Sequence, residues 1–144
     1  MSHPELEALP EWPLRTIAVL ATLNDTVHAI PVSAPVRAGE RLILLSLRRD
    51  RGSLARLRDQ PKVALTVLTE GDVALTARGK ARVVEEPMAC APDYAAVAID
   101  VERIDDHRQA AFKVEAGVDR SWLDEREQRA LGERVRALRE RAAG

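Results

Sequence analysis

The sequence predicts a mainly β protein with flanking helices, an antiparallel sheet of about six strands closing into a barrel. Short runs rich in Val, Leu, Ile and Thr are separated by turn residues such as Asn24-Asp25 and Glu70-Gly71-Asp72. The connections between the early runs are only a few residues long, which disfavours parallel β-α-β crossovers. Helical periodicity appears in two places, near residues 52–60 and 121–143.

The strand candidates follow one another closely along the chain. Two β-rich runs on either side of Asn24-Asp25 are typical of a β-hairpin. A turn at residues 38–40 precedes the third candidate, and Gly79 is predicted to mark a bulge or bend inside a longer one. In order, the candidates are residues 15–23, 26–32, 41–47, 62–69, 73–84, 96–104 and 111–118.

Two segments have helical patterns. In residues 52–60, Ser53 is a candidate N-cap and Pro61 ends the helix. Residues 121–143 form a C-terminal helix whose apolar stripe consists of Leu131, Val135, Leu138 and Ala142. The 144 residues are expected to form one barrel-like domain, with residues 1–13 as an N-terminal extension.

Composition excludes several classes of protein. A hydrophobic fraction of 46% with 31% charged residues does not fit a disordered chain. The formal net charge of −1 provides no positive field for nucleic acid or an anionic membrane, and no apolar run approaches the roughly 20 residues of a membrane span. Cys90 is the one cysteine, so no intramolecular disulfide can form, and a cytoplasmic location is expected.

Several catalytic and binding motifs are missing. There is no glycine-rich nucleotide loop and no nucleophile elbow around a serine. His3, His28 and His107 lack metal-ligand spacing, so they are interpreted as surface or packing residues and no metal is expected. Nothing near Cys90 in the sequence would activate its thiol. No catalytic residue is identified.

The most informative stretch is residues 46–61, which join a strand end to a helix start. Arg48, Arg49 and Arg51 supply guanidinium donors, and Ser53 supplies a hydroxyl close to the free backbone N–H groups of the helix. A phosphate would suit this arrangement. The alternative interpretation is a solvated arginine-rich turn in which Ser53 only caps the helix.

Four segments resemble a known family in their order and spacing. They are VLATL at residues 19–23 with HAIPVS at 28–33, RLILLS at 41–46, LRDQPKVAL at 57–65 and GKARVV at 79–84. Together these segments, within residues 15–86, resemble the pyridoxamine 5′-phosphate oxidase-like proteins, an FMN-binding split-barrel superfamily. The resemblance implies an antiparallel six-stranded split β-barrel.

The resemblance also implies a homodimer with a flavin at each side of the subunit interface. The few aromatic residues, 3% of the chain, favour a dimer as well, since a second subunit would cover a thin sheet. Trp122 could reach the ring from the partner subunit or serve in the core or interface. The implied cofactor-binding residues are Arg48, Arg49, Arg51 and Ser53 for the phosphate, and Pro31, Val32, Ser33, Ser46 and Leu47 for the ring.

The sequence also departs from the family pattern. Ser53 stands where many members have a phosphate-binding lysine, and Thr26 follows Asp25 where an Asp-Gly turn is common. The chain lacks the C-terminal substrate segment of true pyridoxamine phosphate oxidases, so oxidation of vitamin B6 is not expected.

The favoured function is therefore that of an FMN-dependent oxidoreductase acting on an unknown small substrate. Its close alternative uses the deazaflavin coenzyme F-420. A second alternative is a non-catalytic flavin- or haem-type binding protein, and a third is an interaction domain that uses the charged helix around residues 124–141. His28 is the one ionisable candidate near the implied ring and is interpreted as a polar strand residue.

Overall fold

The computed structural model describes residues 4–144, so His3 lies outside the described residues. These residues form seven strands and two helices. In chain order they are β1 Ile17–Leu23, β2 Val27–Ser33, β3 Val36–Gly39, β4 Leu42–Arg48, α1 Gly52–Asp59, β5 Lys62–Thr69, β6 Val73–Glu85, β7 Tyr94–Asp106 and α2 Glu125–Ala143. Within residues 4–144, neither helix combines the length and apolar character needed to cross a membrane.

The strands form one antiparallel sheet in the order β2-β1-β5-β6-β7-β4-β3. The mainly β, antiparallel prediction is confirmed, and so is the C-terminal helix. The prediction of a six-stranded closed barrel is wrong, because the sheet has seven strands and is open, with β2 and β3 as its edges. The additional strand is β3, which pairs with β4 where the sequence indicated only a turn.

Residues 111–118 are the strand candidate that the structure contradicts. They belong to an irregular segment between β7 and α2, and Phe112 and Val118 are exposed there. The preceding strand offers them no edge, because β7 already pairs with β6 on one side and with β4 on the other. The two free edges of the sheet belong to β2 and β3, and neither of them pairs with residues 111–118.

Helix α2 packs against β3 and β4. Its residue Leu138 belongs to a buried cluster with Leu44 of β4 and with Ala96 and Ala98 of β7, whereas Leu45 and Ile99 belong to the main core. Both faces of β4 and β7 are therefore buried in this region, which explains their nearly continuous apolar sequences.

The residues that precede β1 also contribute to the core. Leu9 and Trp12 are buried in the main cluster, and Trp12 Nε1 donates a hydrogen bond to the carbonyl oxygen of Pro35 at 2.9 Å. The backbone N–H of Leu6 bonds to the carbonyl oxygen of Ile104 at 2.9 Å. The described part of the predicted N-terminal extension is thus fixed against the sheet.

Gly79 lies at a register shift between β6 and β7, which confirms the predicted bulge. A Cβ atom at this position would lie 2.0 Å from the carbonyl oxygen of Asp100. Because that oxygen belongs to the backbone of the neighbouring strand, relief requires the two strands to separate. The close approach of the β6 and β7 backbones therefore requires a glycine at this position.

We expect Gly79→Ala to lower the free energy of unfolding by about 3 kcal/mol, because the methyl group overlaps a backbone atom. Gly132→Ala is the matched control, since a Cβ atom at this helical position would have no neighbour within 4 Å. The control should raise the free energy of unfolding by roughly 0.5–1 kcal/mol. Urea unfolding measures both, and equal effects of the two substitutions would contradict this account.

Candidate functional site

A cavity of about 490 Å³ lies at the C-terminal ends of β2 and β4. Its walls come from those two strands, from the start of α1, and from single residues of β7 and α2. Most of the predicted site residues line it, namely Pro31, Val32, Ser33, Ser46, Leu47, Arg48, Arg51 and Ser53. The remaining lining residues are Ile30, Gly52, Arg56, Tyr94 and Arg134. We refer to this space as the β2–β4 cavity.

The first turn of α1 provides one polar wall. Ser53 is buried, and its Oγ accepts a hydrogen bond from the guanidinium of Arg56 at 3.2 Å. Arg56 Nε also donates to Oγ1 of the buried Thr22 at 3.0 Å. Gly52 leaves room for this fold-back, because a Cβ atom there would lie 2.6 Å from a guanidinium nitrogen of Arg56. The helix start thus holds a guanidinium group beside a hydroxyl.

The N-terminus of α1 has no side-chain cap. Arg51 is the N-cap residue and makes no capping hydrogen bond, so the prediction that Ser53 caps the helix is wrong. Ser53 lies inside the first turn, and its hydroxyl is used by Arg56 instead. No acidic residue occupies that turn. The first backbone N–H groups of α1 therefore keep the affinity for anions that helix N-termini have.

Arg48 is held by its neighbour Asp50 and by an aromatic ring. Its Nε and a terminal nitrogen donate to the two Asp50 carboxylate oxygens at 3.0 and 3.2 Å. This pairing lowers the pKa of Asp50 and raises the pKa of Arg48 relative to their ordinary values. The Arg48 guanidinium carbon also lies 5.7 Å from the centre of the Tyr94 ring. Part of the charge of Arg48 is thus already compensated.

Arg134 enters the cavity from α2 and is the most deeply buried cation of the site. It is only 7% exposed, and its guanidinium carbon lies 3.7 Å from the centre of the Tyr94 ring. Its Nε donates to Ser46 Oγ at 3.2 Å. Burial lowers the pKa of Arg134, yet an arginine stays protonated at neutral pH. Among residues 4–144, no carboxylate forms an ion pair with it.

The lining of the β2–β4 cavity is cationic and apolar. Arg48, Arg51, Arg56 and Arg134 contribute four positive charges, and no Asp or Glu lines the cavity within the described residues. The apolar part of the lining consists of Ile30, Pro31, Val32 and Leu47. The volume falls in the range of about 300–1,000 Å³ that is usual for small-molecule sites. The arrangement suits a ligand with an anionic group and an apolar body.

Two predicted site residues lie outside this cavity. Arg49 points away, with its Nε on Glu86 at 3.1 Å and a terminal nitrogen on the carbonyl oxygen of Pro92 at 3.0 Å. Arg58 also pairs with Glu86, and the hydrogen bonds from Arg58 and Arg49 lower the pKa of that carboxyl. Trp122 lines a different cavity and stacks against Arg120, 4.5 Å from ring centre to guanidinium carbon.

Three polar residues of the cavity were not predicted from the sequence. Arg56 could have been found from its i, i+3 spacing to Ser53, which places the two on one face of the predicted helix. Arg134 stands three residues after Leu131 and four before Leu138, inside the apolar stripe. Tyr94 carries no such signal, since its position depends on the pairing of Tyr94 with Arg48 across β7 and β4.

Candidate acid–base and metal residues lie elsewhere. His28 and His107 do not line the cavity, and each bonds a threonine hydroxyl through Nε2, Thr26 at 3.1 Å and Thr76 at 2.8 Å. Cys90 is exposed. Within residues 4–144, no group of three His, Cys, Asp or Glu side chains is placed to hold a metal ion.

Comparison with solved structures identifies the fold. A pyridoxamine 5′-phosphate oxidase-type protein from Lactobacillus delbrueckii superimposes with a TM-score of 0.59 at 15% identity, covering 72% of this chain and 98% of that one. A FAD-binding protein from Mesorhizobium loti gives 0.52 at 13% identity, over 62% and 83% of the two chains. An F420 Reductase gives 0.52 at 14% identity, over 65% and 91%.

The chain has the fold of the pyridoxamine 5′-phosphate oxidase-like proteins. The resemblance stated from the sequence is thereby confirmed at the level of the fold. No protein-family model matches the sequence, and no curated protein matches it. At these low identities the comparison establishes the architecture alone.

We expect Arg134→Met to raise the free energy of unfolding of the unliganded protein by about 1 kcal/mol or more. A buried charge without a carboxylate partner is costly, and Met has similar length without the charge. Arg126→Met is the control, because Arg126 is exposed on the same helix and should change stability by less than about 0.5 kcal/mol. Thermal and urea unfolding decide the outcome. Destabilisation beyond the control would show that Tyr94 and Ser46 more than offset the burial.

Proposed function

We propose that the protein binds a flavin-type cofactor in the β2–β4 cavity and acts as a small oxidoreductase. The observation that supports this most is the combination of four arginines, no acidic lining residue and an apolar wall in one cavity of this fold. Flavin cofactors combine a planar ring system with an anionic tail. The protein's part would be binding, orientation and electrostatics.

The residues present fit such a group. Arg51, Ser53, Arg56 and the uncapped start of α1 would hold the phosphate, since forked guanidinium donors and helix N-termini are both common phosphate ligands. Pro31, Val32 and Leu47 would contact the ring, with Ser33 and Ser46 as polar partners. When bound, a flavin supplies hydride and electron transfer.

The arginines perform the function of the phosphate-binding lysine that many family members have. Ser53 occupies that position, but Arg56 places its guanidinium against the Ser53 hydroxyl from one turn later. The positive charge is therefore present although the sequence motif is not. The position of Arg56 supports the proposal of FMN although the lysine is absent.

The deazaflavin coenzyme F-420 is the close alternative, because its acidic tail would use the same arginines. A haem-type carrier is less well supported by the cavity. Among the lining residues, Tyr94 alone has a side chain that ligates haem iron in proteins, and its ring is stacked against Arg134. We therefore favour a flavin over haem, with FMN as the first ligand to test.

Apart from Tyr94, no described lining residue has a side chain suited to act as a general acid or base for the substrate reaction. Tyr94 lies between the guanidinium groups of Arg48 and Arg134. We propose that the protein acts on a small molecule by positioning it beside the cofactor. The buried charge of Arg134 would stabilise negative charge that develops within the cavity.

We also propose that the protein is a homodimer. The outer face of β1, β2 and β5 is apolar and uncovered, with Val19 at 44% exposure, Val27 at 71% and Leu68 at 50%. Ala21, Leu23 and Ala64 continue the same face by strand alternation and register. Pro31 lies at its margin and also lines the cavity, so a second subunit docked here would stand close to the site.

A substitution that places a charge on this face tests the proposed dimer. We expect the wild-type protein to sediment as a dimer and Val19→Glu to sediment as a monomer, because the introduced carboxylate would be buried in the interface. Leu123→Glu is the control, since Leu123 is fully exposed and lies outside the sheet. A monomeric wild-type protein at micromolar concentration would refute the proposal.

Cofactor binding is tested with FMN and with riboflavin, which lacks the phosphate. We expect FMN to bind saturably. The bound flavin is measured by its visible absorbance after free ligand has been removed. Arg51→Gln should weaken FMN binding about tenfold, equivalent to about 1.4 kcal/mol, because one charged hydrogen bond is lost. It should leave riboflavin binding unchanged.

Arg49→Gln is the matched control for that experiment. Arg49 is close in sequence but points away from the cavity toward Glu86, so its substitution should leave FMN binding unchanged. Equal losses in the two variants would overturn the assignment of the phosphate position. Absence of saturable binding for both FMN and coenzyme F-420 would overturn the proposed cofactor class.

A further inference from the structure

A second cavity, of about 550 Å³, lies on the other side of the β2 end. We call it the α2 cavity. Its lining residues come from the segment before β1, from the end of the irregular segment, and from α2. Its charged residues include Arg120, Arg136 and Arg139, and its apolar residues include Leu14, Trp122 and Leu131. No residue lines both cavities, and nothing in the proposed flavin chemistry uses this one.

The α2 cavity carries an excess of positive charge. Four arginines line it, against Asp119 as the acidic lining residue. Arg15 is paired with Glu70, whereas Arg120, Arg136 and Arg139 form no ion pair with any carboxylate of residues 4–144. Arg136 and Arg139 stand three residues apart on one helix, where like charges are mildly destabilising. An anion in the cavity would relieve that repulsion.

Arg120 is fixed in the wall that separates the two cavities. Its guanidinium donates to Ser33 Oγ at 2.7 Å and stacks over the Trp122 ring at 4.5 Å. Ser33 belongs to the β2–β4 cavity, and the next residue, Ala34, belongs to the α2 cavity. A cation with its donors already oriented loses less conformational entropy on binding an anion.

The remaining wall is apolar. Leu14, Val118, Trp122, Leu131 and Val135 form it, and several of these side chains are exposed to solvent. Gly132 adds space, because a Cβ atom there would meet nothing within 4 Å. A glycine in the middle of a helix costs about 1 kcal/mol relative to alanine. The fold thus tolerates a weaker helix at the point where the cavity is open.

We propose that the α2 cavity binds a small aromatic carboxylate. The apolar wall with Trp122 matches an aromatic ring, and the guanidinium forks of Arg136 and Arg139 match a carboxylate in charge and geometry. The cavity has the size of ordinary small-molecule sites. The proposal goes beyond the flavin function and does not depend on it, since the two sets of lining residues are separate.

The test is a calorimetric titration of the full chain with 2-naphthoate. We expect saturable binding, and at least tenfold weaker binding of 2-naphthalenemethanol, which has the same rings without the charge. The double variant Arg136→Gln/Arg139→Gln should weaken naphthoate binding at least tenfold. The matched control Arg126→Gln/Arg129→Gln removes the same number of charges from the same helix, outside the cavity, and should bind as the wild type does.

A third variant tests whether naphthoate binding needs the free space of the cavity as well as its charge. Gly132→Leu should fill the cavity and abolish naphthoate binding, while its helix is at least as stable as that of the wild type. The proposal is overturned if naphthoate does not bind saturably, if the neutral analogue binds equally, or if the two double variants lose affinity equally. It is also overturned if Arg136→Gln/Arg139→Gln dissociates a dimer in sedimentation, which would make the cavity a contact between subunits.

Discussion

Both cavities of the structure depend on the packing of α2 against β3 and β4. Leu138 of this helix belongs to a buried cluster with Leu44, Ala96 and Ala98, on the face of β4 and β7 opposite the main core. The same helix presents Arg134 to one cavity and Arg136 and Arg139 to the other. The buried cluster around Leu138 and the two cavities therefore depend on one helix position, and a shift of α2 would change all three.

Positive charge is concentrated at the two cavities, because few carboxylates line them. The chain has 22 Lys and Arg residues against 23 Asp and Glu, so the near-zero net charge conceals a strong local separation. Arg49, Arg58 and Arg82 are paired with carboxylates on the surface. In the β2–β4 cavity, Arg56 and Arg134 bond to hydroxyls and Arg134 also stacks on Tyr94, while Arg48 pairs with the neighbouring Asp50. A cation compensated by dipoles alone retains attraction for an anionic ligand.

The antiparallel fold could be predicted from the sequence because it depends on local patterns, whereas most lining residues of the β2–β4 cavity were implied by the resemblance to the family. Alternation and turn residues place β1, β2, β5 and β6 within one or two residues of their observed ends at most positions. The bulge at Gly79 was predictable for the same reason. The irregular structure of residues 111–118 was not predictable, since a segment's own pattern cannot show whether a neighbouring strand pairs with it. Tyr94 and Arg134 reach the cavity only through the pairing of β7 with β4 and the docking of α2.

The uncapped start of α1 has a consequence for the dynamics of the protein. A helix of eight residues is short, and without a side-chain cap its first turn is held mainly by the packing of Leu54 and Leu57 in the core. An anion that accepts hydrogen bonds from the first backbone N–H groups would act as the missing cap. Part of the binding free energy would then appear as order in this helix. Ligand occupancy and the local opening of α1 become two measures of one equilibrium.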